Sequence, residues 1–118
     1  MNPTYTVTIG GTETELKMSY GLLNEVARVV GDIEAIPQIA YDIELRTALL
    51  TAVLSKRDKK GKITEEADLF NLDMDGEEVI DLLNWVGEHV LDFFIKSLTR
   101  AKKLLGERKA DLEGLTSI

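Results

Sequence analysis

The chain of 118 residues carries 14 basic and 21 acidic side chains, a formal charge of −7 with its single histidine neutral, and no cysteine. This length fits one domain, and 44% hydrophobic with 30% charged residues is typical of a globular chain rather than a disordered one. The lack of cysteine excludes disulfides, thiolate nucleophiles and zinc fingers, and the negative charge disfavours broad binding to nucleic acid or anionic lipid. We therefore expect a cytosolic acidic domain without a signal peptide or a membrane span.

The N-terminal residues carry the pattern of a β-hairpin. Apolar and threonine side chains alternate from Tyr5 to Ile9, Gly10 and Gly11 follow, and a second alternating run ends at Met18. Two consecutive glycines supply the positive φ angles that a type I′ turn requires. Since an isolated hairpin is unstable, its apolar face is expected to lie on helices or to pair with another chain. The predicted cross-strand pairs are Ile9 with Thr12, Val7 with Thr14 and Tyr5 with Leu16.

Two helices of ordinary length are predicted after the hairpin. Ser19 is placed to cap the N-terminus of a helix over residues 20–30, and Gly31 is placed to end it. Asp42 is placed to cap a second helix. The stretch between these helices contains Pro37, which predicts an irregular connection or a short turn of helix.

The middle of the chain is the least regular part of the pattern. Residues 56–62 hold five basic side chains and one acidic one, which predicts a solvated loop that buries nothing. Because no aromatic residue is interleaved with these cations, contact with an acidic partner or with another copy ranks above nucleic acid. Residues 63–74 form an ambiguous pattern in which residues 64–66 are a candidate start of a short helix, and Leu69, Phe70 and Leu72 are expected to dock against another surface.

A long helix is predicted for the C-terminal third of the chain. Asp75 followed by Glu78 is a capping-box pattern, and Lys102 and Lys103 complement the opposite end of the helix dipole. No proline interrupts residues 75–106. This spacing predicts a single helix of about thirty residues.

These elements together predict an α+β fold. We expect a mainly helical single domain over residues 1–106, with an N-terminal β-hairpin and a long C-terminal helix. Residues 107–118 are polar apart from three apolar side chains, so we expect a frayed or flexible C-terminal tail.

The long helix carries more apolar surface than one core needs. At 100° per residue its apolar side chains form two neighbouring stripes, which together exceed the arc of about 100° that usually rests on a core. The first stripe comprises Val79, Leu82, Leu83, Val86, Val90, Phe93, Ala101 and Leu104. The second stripe comprises Ile80, Leu91, Phe94, Leu98 and Leu105. Either the rest of the chain covers both stripes, or one of them is shared with a second copy or another protein.

The candidate partner-binding residues come from this surplus surface. Trp85 and Ile95 fall outside both stripes, among charged neighbours. An aromatic side chain on an otherwise polar helix face is typical of interface anchors, so Trp85 is the best single candidate. The predicted partner-binding residues are Trp85, Leu91, Phe94, Ile95 and Leu98.

The sequence lacks the residue patterns of catalysis and metal binding. His89 lies at the edge of the apolar face, which favours a hydrogen-bonded boundary histidine over a catalytic one. Residues 71–76 resemble the start of a calcium loop, but Leu82 stands where a bidentate glutamate is required. We therefore predict no catalytic, cofactor-binding or metal-binding residue and expect that the chain is not an enzyme. An enzyme subunit would instead show a deep pocket of carboxylates near His89.

The order of the elements resembles a known family. Residues 5–12 and 16–23 resemble the opening of the tail assembly chaperones of long-tailed bacteriophages or prophages, in which a β segment with a glycine turn leads into a helix. Residues 42–50 and 55–63 are similar as well, and the resemblance spans residues 5–105. The acidic helix completes the pattern with His89, Val90, Phe93 and Phe94.

The resemblance implies a non-enzymatic assembly factor without a cofactor, made in the host cytoplasm and absent from the mature virion. Such chaperones bind the helical tape measure protein, keep it soluble and help recruit tail tube protein subunits. Members of the family self-associate, which implies a homo-oligomer. Many exist in a second form produced by a translational frameshift, which would place residues 107–118 at the junction. The residues leave open an alternative, a small acidic protein–protein interaction adaptor or regulator unrelated to tail assembly.

Overall fold

The computed structural model describes residues 1–109. It has the predicted α+β architecture, mainly helical with an N-terminal β-hairpin and a long C-terminal helix. Of the predicted tail, Glu107 is the last residue of the long helix, and residues 110–118 lie outside the described part. The elements in chain order are β1 (Thr4–Ile9), β2 (Thr12–Lys17), α1 (Tyr20–Val30), a 3₁₀ helix (Ile33–Ala40), α2 (Ile43–Leu54), β3 (Lys56–Arg57), β4 (Ile63–Glu65) and α3 (Gly76–Glu107).

The N-terminal hairpin has the predicted register. Gly10 and Gly11 adopt φ angles of 58° and 79°, the left-handed conformation of a type I′ turn. Val7 is fully buried, so the apolar face of the hairpin rests on the helices. The pairs that confirm the prediction are Tyr5 with Leu16, Val7 with Thr14 and Ile9 with Thr12.

The two shorter helices begin at the predicted caps. The Ser19 hydroxyl accepts a hydrogen bond from the Leu22 N–H at 3.2 Å, and Asp42 Oδ1 accepts one from the Leu45 N–H at 3.1 Å. Each cap satisfies one backbone donor that the first helical turn leaves without a partner. The predicted irregular connection between them is the 3₁₀ helix, which accommodates Pro37.

The core forms around the first half of α3. Every buried residue of α3 lies between Leu82 and Val90, where the hairpin, α1, α2 and the 3₁₀ helix meet it. All residues from 95 to 109 are exposed, and the molecule is 65 Å long but only 32 by 24 Å across. We call residues 1–94 the body and residues 95–107 the arm. At 1.5 Å per residue the arm extends about 20 Å.

The prediction that residues 56–62 form a loop that buries nothing is wrong. The segment contributes to a second short antiparallel hairpin, β3–β4. The Arg57 guanidinium donates to the carbonyl oxygens of Ala52 and Gly61, both at 2.8 Å, and pairs with the Glu25 carboxylate at 2.6 Å. A planar guanidinium satisfies several acceptors at once, so one cation of a charged run docks while its neighbours remain in water.

Residues 63–74, which the sequence leaves ambiguous, contain strand β4 and then non-helical backbone, so residues 64–66 do not start a helix. Leu69 and Leu72 are half-buried, but the Phe70 side chain is 97% exposed. The prediction that Phe70 docks is therefore wrong within the described residues 1–109.

The start of α3 is held by the hairpin rather than by a capping box. Asp75 occupies the N-cap position, but its side chain makes no capping hydrogen bond. Glu78 Oε1 instead accepts a hydrogen bond from the Thr8 N–H at 2.6 Å, and the Gly10 N–H donates to the Asp73 carbonyl at 2.9 Å. The predicted capping box is wrong because β1 offers Glu78 a donor that lies 70 residues away in the sequence.

We expect Arg57→Met to lower the free energy of unfolding by about 1–3 kcal/mol, because it removes a mostly buried ion pair and two bonds to carbonyl oxygens. Urea unfolding followed by circular dichroism measures the change. The control is Lys56→Met, whose partner Glu65 is 70% exposed, and a change within about 0.5 kcal/mol is expected there. Equal losses in the two variants would contradict an anchoring role for Arg57.

Candidate partner-binding surface

Trp85 belongs to the core, which contradicts its prediction as an exposed anchor. Its side chain is 7% exposed, and its ring centroid lies 5.4 Å from that of Tyr5. The indole N–H donates to the carbonyl oxygen of Asn2 at 2.9 Å. Residues before the hairpin cover this side of α3. A helical projection of α3 alone cannot show this contact, because the covering residues belong to another part of the chain.

His89 shares the same acceptor. Its Nε2 lies 2.8 Å from the Asn2 carbonyl oxygen, one helical turn beyond the tryptophan donor, so a hydrogen-bonded boundary histidine is confirmed. Burial raises the pKa of the neighbouring Tyr5 hydroxyl, and the nearby carboxylates of Asp81 and Glu78 raise it further. The N-terminal residues and this polar cluster together close one side of α3.

The second apolar stripe is the side of α3 that remains uncovered. Ile80, Leu98 and Leu105 are 51%, 56% and 59% exposed, while Leu91 and Phe94 are half-buried. These five positions fall within an arc of about 60° at 100° per residue. We call this set, with the adjacent Ile95, the free face of α3; it comprises Ile80, Leu91, Phe94, Ile95, Leu98 and Leu105.

The first part of the free face lies in a groove of the body. This groove, of about 460 Å³, separates α3 from the 3₁₀ helix. Gly87 has no side chain to fill it, and Ile39 closes its floor from the opposite side. Its apolar lining comprises Ile36, Pro37, Ile39, Ala40, Ile80, Leu83, Gly87 and Leu91, and its polar lining comprises Arg46, Asn84 and Glu88.

The second part of the free face continues along the arm. No other element of the described residues 1–109 covers the arm, so Leu104, which the helical projection assigns to the first stripe, is 57% exposed as well. From Ile80 to Leu105 the free face extends about 38 Å along the helix axis. This length matches a helix of about 25 residues lying alongside it.

Four of the five predicted partner-binding residues lie on this surface. Leu91 lines the groove, Phe94 is half-buried on the next turn of α3, and Ile95 and Leu98 lie on the arm. Trp85 is the exception. The residues that the prediction missed are those of the 3₁₀ helix, because Ile36 and Pro37 line the groove from a segment that the sequence marked only as a connection.

A second exposed feature, which the sequence did not single out, is the turn that carries Phe70. Asp68 Oδ1 accepts from the Asn71 N–H at 3.3 Å, and the Asn71 side-chain amide donates to Asp68 Oδ2 at 2.7 Å. These bonds, the side-chain one first, hold the pKa of Asp68 below its usual value. The Asp-x-x-Asn spacing is the signal that could have predicted this turn.

The described residues 1–109 contain no group of three or more histidine, aspartate and glutamate side chains positioned to hold a metal ion. Within the same residues, no helix combines the length and the apolar character needed to cross a bilayer.

Comparison with known proteins yields no matching family model, no matching curated protein and no matching solved structure. The fold and surface define a small α+β protein with one long helix that is partly uncovered.

We expect Trp85→Asp to unfold the protein or to lower the free energy of unfolding by more than about 3 kcal/mol, because it leaves a carboxylate in the core. Leu98→Asp should change that free energy by no more than about 0.5 kcal/mol, since the side chain is already exposed. Urea unfolding at low protein concentration measures both without a contribution from association. Comparable destabilisation by the two substitutions would contradict the assignment of Leu98 to an uncovered surface.

We expect Asn71→Ala to raise the pKa of Asp68 towards its ordinary value, since the main group that stabilises the carboxylate is lost. In the native turn this stabilisation is present above the ordinary pKa and is lost as the pH falls through the lowered one. NMR titration of the side-chain carboxyl carbon measures the shift, with Asn24→Ala as the control. An unchanged titration of Asp68 would show that the turn does not persist in solution.

Proposed function

We propose that this chain is a tail assembly chaperone of a long-tailed bacteriophage or prophage, and that the free face of α3 binds an amphipathic helix of the tape measure protein. The free face is the observation that carries the proposal. Apolar side chains recur there at the three- and four-residue spacing with which one helix contacts another. The resemblance of residues 5–105 to this family supports the identity of the client.

The dimensions of the surface favour a helical client. The groove receives one end of the client between α3 and the 3₁₀ helix, and the arm supports the rest without a second wall. A helix satisfies its own backbone hydrogen bonds, so it can lie on an apolar surface without leaving polar groups unpaired. An extended peptide would need a free strand edge beside the groove, and the groove is walled by helices.

The charge of the molecule suits the same role. A net charge of −7 keeps the protein and its bound client dispersed while their apolar faces are in contact. The proposed action is non-covalent and non-enzymatic, and it takes place in the host cytoplasm before the virion is complete. Recruitment of the tail tube protein belongs to the same proposal and is supported by the family resemblance alone.

The test uses overlapping helical segments of the tape measure protein from the genome that encodes this chain, with binding measured by fluorescence anisotropy. At least one segment is expected to bind. Leu98→Asp should weaken that binding by about tenfold or more, because a carboxylate then faces the apolar side of the client.

The control is Ile43→Asp, which changes a side chain that is 76% exposed, against 56% for Leu98, and that belongs to α2 rather than to α3. It should bind the client as the native protein does. Failure of every segment to bind, or equal loss in the two variants, would contradict the proposal. A regulator unrelated to tail assembly would bind none of these segments.

A further inference from the structure

Five residues of the free face, taken with the residues Asn84, Gly87 and Ala101 that lie between them, form a seam that repeats every seven residues. The positions of this seam are separated alternately by four and three residues, an average of 3.5, which is the spacing of a coiled coil. All of these positions are exposed or half-exposed. The seam consists of Ile80, Asn84, Gly87, Leu91, Phe94, Leu98, Ala101 and Leu105.

The seam is complementary to the seam of a second α3 helix that runs in the opposite direction. In an antiparallel pair centred between residues 92 and 93, every seam position faces another seam position along the full length. The small residue Gly87 then faces the large Leu98, and Asn84 faces the small Ala101. The remaining contacts are apolar, Ile80 with Leu105 and Leu91 with Phe94. Large side chains opposite small ones allow two helices to interdigitate closely.

The charges of α3 are also complementary on reversal. Residues 76–94 contain five carboxylates and no lysine or arginine, whereas the arm contains four basic residues and one acidic one. Compensation of the helix dipole is confined to the terminal turns, so it does not explain Asp81 and Glu88 in one half or Lys96 and Arg100 in the other. A parallel pair would align acid with acid, and an antiparallel pair aligns acid with base.

We propose that a second copy of this chain occupies the free face in the absence of a client, with the two α3 helices packed antiparallel. The arm of each copy then lies in the groove of the other, where Leu98 and Leu105 reach the apolar lining around Gly87 and Ile80. Asp81 of each copy lies beside Lys102 of the other, at the position that flanks the seam. The two contacts are related by a twofold axis, so the assembly closes as a dimer.

This inference goes beyond the proposed function, because it depends on the seam and its charges and not on the identity of the client. Sedimentation velocity over a concentration series measures it on the full chain. The expected result is a monomer–dimer equilibrium that Leu98→Asp abolishes and Ile43→Asp leaves unchanged. Dissociation should increase with salt concentration, since the flanking pairs are exposed. A native protein that stays monomeric, or an assembly that Leu98→Asp leaves intact, would overturn the proposal.

Charge exchange tests the register. Asp81→Lys and Lys102→Asp should each weaken the dimer by about tenfold, because symmetry places each repulsive pair in the dimer twice. The double variant, and an equimolar mixture of the two single variants, should restore association to within about threefold of the native value. Failure of both to restore it would refute the antiparallel register.

Cysteine pairing tests the orientation without a native background, since the chain has no cysteine. Ile80→Cys mixed with Leu105→Cys should form a disulfide between the two variants under mild oxidation. Ile80→Cys alone should not, because the antiparallel register separates the two thiols by most of the length of α3. A disulfide between two copies of Ile80→Cys would show a parallel pair and refute the proposal.

The two proposals fail independently. Asp81→Lys disrupts the dimer but leaves the apolar seam intact, so this variant should still bind the tape measure segment. If the protein dimerises but binds no tape measure segment, the antiparallel dimer is supported and the proposed function is contradicted. If it binds a segment but is always monomeric, the proposed function is supported and the dimer is contradicted.

Discussion

The exposed surface of the protein depends on one constraint: α3 is longer than the hairpin and the other helices that pack against it. α3 has 32 residues, but its buried side chains all lie between Leu82 and Val90, where the hairpin and the other helices reach it. An unsupported amphipathic helix has no tertiary contacts to offset the entropy of ordering it. The arm and the free face are both consequences of this mismatch, and each proposal above is a way of covering them.

The parts of the fold that could be predicted are those set by neighbours in the sequence. Gly10 and Gly11 fix both the turn and the register of the hairpin. Ser19 and Asp42 each cap the helix that follows by accepting a hydrogen bond from a backbone N–H three residues further on. The length of α3 follows from a long periodic pattern without proline. Local chemistry of this kind is visible in a window of a few residues.

The predictions that are wrong concern side chains whose partners lie far away in the sequence. The charged helical neighbours of Trp85 predict a surface position, but the backbone of Asn2, 83 residues away, covers its indole N–H. The spacing of Glu78 predicts a capping box, but its carboxylate accepts from the Thr8 N–H instead. The charged run around Arg57 predicts a solvated side chain, but Glu25 of α1 pairs with its guanidinium. The free face could be anticipated as surplus apolar surface, but the groove beside it required the 3₁₀ helix to be placed.

The Asn2 carbonyl has a consequence for how the protein is made. It accepts from Trp85 and lies within hydrogen-bond distance of His89, so Asn2 bonds to residues that are synthesised 83 and 87 residues after it. Until the middle of α3 emerges, the hairpin exists with its apolar face uncovered. Completion of the core therefore waits for the synthesis of α3, and the nascent chain is open to aggregation or to the folding factors of the cell during that interval.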